Sequence, residues 1–223
     1  MQAWPSVLFA SLALFEAGLA VASHRQGARP VDEWLFKHRD HLPIPFLMIG
    51  ILSCLVSRMT PQVSRKWMSL FGVFLVILGE GLRVWSVGIV GAATRSRSTN
   101  AQRLVQEGPY ALTRNPIYAG NLLLCLGLTS FLHSWAALLA CLLYFIIVYL
   151  RIIRAEEHFL QKAFGATYDD YCRRVRPILP RWNASEEALR APFRLKELRK
   201  EYWTIAGIAC ALIAAEILSR RFH

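Results

Sequence analysis

Acidic residues are scarce in this chain: 15 Asp and Glu stand against 26 Lys and Arg in 223 residues, a formal charge of +11. The basic excess sits in a few blocks between apolar runs, the pattern of membrane-flanking loops. A nucleic-acid-binding protein of this charge would spread its apolar residues at core periodicity, so no nucleic-acid partner is expected. Cysteine is also sparse. Cys54, Cys125, Cys141, Cys172 and Cys210 are odd in number and mostly lie inside apolar runs. They offer no disulfide framework and no metal spacing, and read as small buried apolar residues. His38-x-x-His41 has ligand spacing but no third ligand near it, so no metal site is expected. Strand-type alternation, internal repeats and low-complexity tracts are missing. No basic segment precedes the apolar run at 4–22, so no cleavable signal peptide is expected.

What is abundant is apolar residue, 55% of the chain, gathered in runs near 4–22, 44–57, 67–91, 117–132, 134–150 and 203–218. This predicts an all-α, polytopic helical membrane protein with about five to six transmembrane helices. The 44–57 and 203–218 runs are short for a full crossing. Trp4, Trp67, Trp135 and Trp203 fall at run ends, as interfacial tryptophans do. Only His133 and its neighbours separate the fourth and fifth runs, which predicts a tight antiparallel hairpin. The Arg and Lys of 151–202 set the orientation, with that segment on the cytoplasmic side. The division expected is 1–66, membrane helices and loops; 67–182, the core; and 183–223, a basic amphipathic helix near 193–202 and a last apolar helix. Glu80 and Arg83 share a helix face inside the third run and predict a structural ion pair.

The polar stretch Glu107 to Tyr118 lies at the mouth of the fourth run. Gly108-Pro109 forces a turn, and Pro116 suits the first position of a helix. Arg114 and Asn115 are thereby held at a membrane helix N-terminus. The hairpin should return the end of the fifth run, with Arg151, Arg154, Glu156 and Glu157, to the same place. The result would be a half-membrane pocket on the cytosolic side. Its carboxylates suit an ammonium-bearing ligand, and its arginines a carboxylate or phosphate.

Gly108-Pro109-Tyr110, Arg114-Asn115-Pro116-x-Tyr118-x-Gly120, Glu156-Glu157 with Leu160, Phe164-Gly165-x-x-Tyr168-x-x-Tyr171 and Pro180 together resemble the isoprenylcysteine carboxyl methyltransferase family, which includes phospholipid methyltransferase relatives. The resemblance covers about residues 70 to 182. It implies an integral-membrane, S-adenosyl-L-methionine-dependent methyltransferase acting on a lipid-like or amphipathic small molecule. It places the cofactor against Gln102, Leu104, Val105, Tyr110, Asn115, Pro116, Ile117, Tyr118 and Glu156. Asn115 stands where the family has His, which removes a titrating imidazole. The Arg expected on the substrate carboxylate falls on Ile152, so Arg151 or Arg154 must take that role, with Arg114 a further substrate-binding candidate. Glu157, Arg154 and Arg151 are the catalytic candidates, Glu157 as orienting group or proton acceptor. A bacterial inner membrane is favoured over the endoplasmic reticulum.

Two other readings compete. One is an NADPH-dependent membrane reductase of the steroid 5α-reductase type, disfavoured because a 2′-phosphate prefers Arg to a carboxylate pair. The other is a non-catalytic membrane protein whose charges are structural.

Overall fold

The computed structural model describes residues 62–90, 103–131, 133, 135–202, 205–207 and 210. The runs at 4–22 and 44–57, His38 and His41, Gln102 and most of the 203–218 run lie outside the described residues. Among the described residues, the named helices follow in the order α1 Gln62–Val90, α2 Pro116–Ser130, α3 Trp135–Phe164, α4 Ala166–Arg174 and α5 Glu186–Leu189. Single 3₁₀ turns occupy Gly108–Ala111 and Leu195–Lys200. Among the described residues there is no strand; Thr113 and Arg176 form one isolated parallel bridge.

With 29 and 30 residues, α1 and α3 are about 43 and 45 Å long. A hydrocarbon core of about 30 Å needs about 20 residues. These two helices are long and apolar enough to cross a membrane. On α1, Phe71, Phe74 and Leu78 face outward; on α3, Trp135, Leu139, Leu143 and Ile147 do so at four-residue spacing. A soluble core helix would bury that stripe, whereas a lipid-facing helix exposes it. Helix α2, at 15 residues or about 22 Å, is shorter than the full span that its sequence suggests.

Proline at its first turn starts α2, and a left-handed His133, φ 52°, turns the chain behind it. The α2–α3 connection is thus the short turn that the sequence predicts. Ser69 of α1 shares a 2.9 Å hydrogen bond with His133 and ties the turn to α1. Glycine lets α1 and α2 approach closely. A Cβ on Gly79 would stand 2.8 Å from the Gly120 carbonyl oxygen, and one on Gly72 2.7 Å from that of Gly127. Such contacts let membrane helices meet backbone to backbone.

Helix α3 stops at Phe164, where Gly165 takes φ 52°. Tyr118, Leu122, Phe145, Tyr149, Ile152, Ile153 and Ile178 form the main apolar cluster. Ile152 has no exposed surface, so the position where the family resemblance calls for an Arg belongs to the core. The 193–202 segment differs from its expected amphipathic α-helix. It holds a six-residue 3₁₀ turn, and its N-terminal end lies against α1, where Arg194 N–H donates to the Gly88 carbonyl at 2.7 Å. The described free cysteines are Cys125, Cys141, Cys172 and Cys210.

Candidate active site

The site begins with the Gly108 turn. Its φ of 63° is left-handed, and Pro109 carries the chain into the 3₁₀ turn. The next residues then run parallel to the segment after α4. Arg114 N–H donates to Arg176 O at 2.9 Å, and Asn115 N–H to Pro177 O at 3.1 Å. Arg181 N–H closes the far end on Leu112 O at 2.8 Å. The Thr113 hydroxyl adds a 2.9 Å bond to Pro177 O. The α2 mouth is therefore fixed by backbone from more than 60 residues away.

Arg114 is buried, and its Nε and Nη2 both reach Glu157 Oε1 at 2.8 Å. Its Nη1 donates to the carbonyls of Cys172 and Val175 at 3.2 and 3.0 Å. A guanidinium there satisfies carbonyls left over at the end of α4. Burial opposes its charge, yet the Glu157 carboxylate holds the Arg114 pKa above its ordinary value. Asn115, buried at the N-cap of α2, uses its side-chain amide elsewhere: Nδ2 donates to Pro177 O at 3.1 Å and Glu157 Oε1 at 3.4 Å. The Tyr118 hydroxyl donates to Glu156 Oε2 at 2.8 Å.

The hairpin thus brings Arg114, Asn115 and Tyr118 to Glu156 and Glu157, as the sequence predicts. Tyr110 is buried beside them. Burial, then the Glu156 charge, pushes its phenol well above the ordinary value, so Tyr110 stays protonated. Pro116 is fully buried, while Val105 and Ile117 are half-buried. Leu104 packs against the buried cluster of Tyr168, Tyr171 and Val175. Arg151 is exposed and Arg154 half-buried. The i,i+3 spacing offers Arg154 to Glu157, but the carboxylate's cation is Arg114, from the turn before α2.

Sequence reasoning misses three features here: the parallel backbone pairing, the Arg114–Glu157 bond and the part Tyr171 plays. The Tyr171 hydroxyl donates to Tyr110 O at 2.7 Å within the buried interior. Tyr171→Phe leaves that carbonyl without its donor and is expected to destabilise the fold by about 1–3 kcal/mol. Thermal melting in detergent measures this, and an unchanged melt would mean the bond contributes nothing.

The ligand capacity is specific. Glu157 Oε1 is fully engaged, whereas Oε2 is buried with no hydrogen-bond partner. An acceptor oxygen of that kind suits a ligand bringing an N–H or O–H donor. Among the described residues, no group of three or more His, Cys, Asp or Glu could hold a metal ion.

Residues 67–167 match the family model described as phospholipid methyltransferase. The cobalt-zinc-cadmium resistance protein CzcN of Cupriavidus metallidurans is 32% identical over 160 residues, covering 71% of this chain and 72% of that protein. A probable protein-S-isoprenylcysteine O-methyltransferase of Oryza sativa subsp. indica is 28% identical over 187 residues, 80% of this chain and 96% of that protein. The protein-S-isoprenylcysteine O-methyltransferase of Rattus norvegicus is 28% identical over 181 residues, 76% of this chain and 62% of that protein. No solved structure shows a significant match.

Proposed function

Because the chain belongs to the isoprenylcysteine carboxyl methyltransferase family, with its phospholipid methyltransferase relatives, we propose that it is an integral-membrane S-adenosylmethionine-dependent methyltransferase acting on a lipid-like or amphipathic acceptor. The observation that carries this reading is the meeting of α2's mouth with the paired carboxylates: Tyr118 on Glu156 at 2.8 Å and Arg114 on Glu157 at 2.8 Å. The catalytic core is residues 67–182, in a protein of five to six spans, with its site at the cytoplasmic edge of a bacterial inner membrane.

When bound, the cofactor supplies a methyl group on a sulfonium, whose positive charge disappears on transfer. Glu156, oriented by Tyr118, is suited to hold the cofactor's ammonium, and Tyr110 and Asn115 border the same space. Glu157 Oε2, buried without a hydrogen-bond partner, is placed to accept a proton from an amine or thiol acceptor. A carboxylate or phosphate acceptor needs no base, only orientation, which Arg151 or Arg154 could give. Tyr168 and Tyr171, both buried, add apolar surface that disfavours water near the site.

Glu156→Ala is expected to weaken S-adenosylhomocysteine binding about tenfold or more while the protein still melts cooperatively in detergent. Isothermal titration checks both the native protein and the variant. Saturable binding of NADPH in place of S-adenosylhomocysteine would replace this reading with the reductase.

A further inference from the structure

A second polar cluster lies deeper in the helices, and the proposed chemistry does not use it. Arg83 of α1 is its centre. Its Nε stands 3.6 Å from Glu80 Oε2, as the sequence spacing predicts. Its stronger contact is unforeseen: Nη2 bonds Glu201 Oε2 at 2.9 Å, across 118 residues of sequence. Glu201 has no exposed surface. It is carried there by a strap, residues 193–201, which lies beyond the stretch matched by the family model. The strap is latched a second time. The Phe193 ring occupies the space that a Cβ on Gly88 would fill, beside the Arg194–Gly88 backbone bond.

Arg83 also reaches α2. Its Nη1 donates to Asn121 Oδ1. The Asn121 amide lies beside the Tyr149 hydroxyl on α3. The Tyr149 ring meets Tyr118 edge-on, with centroids 5.6 Å apart. Tyr118 then donates to Glu156. Glu201, Arg83, Asn121, Tyr149, Tyr118 and Glu156 therefore form one continuous line of contact from the strap to the carboxylate assigned to the cofactor.

We propose that Glu201 is a positioning residue: through Arg83 and Asn121 it sets the Tyr118–Glu156 pair for the methyl donor, so the strap is part of the donor site. The inference rests on the methyltransferase reading. Its physical basis is that a guanidinium held at once by a strap carboxylate and an α2 amide has little freedom to shift. With Glu201 neutralised, Arg83 is left to Glu80, one turn away on its own helix. Asn121 then loses its fixed donor, and Tyr149 and Tyr118 lose the constraint that aligns them. Packing against Gly88 alone would not transmit this, because Gly88 is not a member of that line of contact.

The test uses the full chain in lipid nanodiscs, with Glu201→Gln, Glu201→Ala and Phe193→Ala. Unmodified protein that fails to bind S-adenosylhomocysteine would defeat the methyltransferase reading and this inference with it. Given binding, Glu201→Ala is expected to raise the S-adenosylhomocysteine Kd about tenfold, and Glu201→Gln, which keeps a hydrogen-bonding oxygen, about threefold. In turnover with a labelled methyl donor, the donor KM should rise while kcat and the acceptor KM hold. Phe193→Ala should lower the melting temperature with little change in Kd. The inference is overturned if the Glu201 variants bind the cofactor like unmodified protein. It is equally overturned if their binding falls only in step with the fraction folded.

Discussion

Arg114→Ala should melt far below the unmodified protein and lose S-adenosylhomocysteine binding. The substitution leaves the Glu157 carboxylate buried without a cation and strips the Cys172 and Val175 carbonyls of their donor. Removing one partner of a buried pair typically destabilises by about 3–5 kcal/mol. Against a total stability of roughly 5–15 kcal/mol, that is a large share. Arg114→Lys should recover only part of the loss, because one ammonium cannot span a carboxylate and two carbonyls as the planar fork does. The experiment separates two roles. An Arg waiting for substrate, as the sequence alone suggests, could be removed with little change in melting. A native-like melt for Arg114→Ala would show that the bond to Glu157 does not support the fold.

Gly79→Leu should severely disrupt the helix pair. Even a Cβ at this position stands 2.8 Å from Gly120 O and 2.9 Å from Leu124 N, both backbone atoms. Backbone cannot rotate aside, so the helices must separate. Gly79→Ala is expected to destabilise by about 1–3 kcal/mol, the usual range for overpacking, and Leu by more. Separation also shifts α2, and with it Tyr118, from its native seat. The internal control is Gly81, two residues along α1, where an added Cβ meets nothing within 4 Å. Gly81→Ala should be neutral or stabilise by up to about 1 kcal/mol through helix propensity. Equal melting temperatures for Gly79→Ala and Gly81→Ala would refute the close crossing.

Much of this architecture is written locally. Gly108-Pro109, Pro116 and Phe164-Gly165 each punctuate the chain where the structure bends, because a turn or a helix end is decided by a few neighbouring dihedrals. The hairpin at His133 follows from two apolar runs with almost nothing between them. From it follows the meeting of Asn115 and Tyr118 with the glutamates. The partners of the arginines were not legible. Spacing along one helix reveals Glu80–Arg83 but carries no sign of Glu201, which arrives from another part of the chain. In the same way Arg154 looked like the partner of Glu157 at i,i+3, while a turn before α2 supplied Arg114. The 193–202 segment has the charge alternation of a surface helix. Its attachment to Gly88 and Arg83 shows in no periodicity, because it depends on the shape of α1.

The bond between Arg114 and Glu157 imposes an order in time. The two residues leave the ribosome 43 positions apart, which at about 5–20 residues per second is a delay of roughly 2–9 s. Throughout that interval the guanidinium lacks the Glu157 carboxylate that neutralises it in the folded protein. Helix α2 therefore gains the partner of its N-terminal turn only once α3 has been made. The turn before α2 and the end of α3 thus reach their final arrangement together, and a pause in synthesis between them leaves Arg114 without its carboxylate.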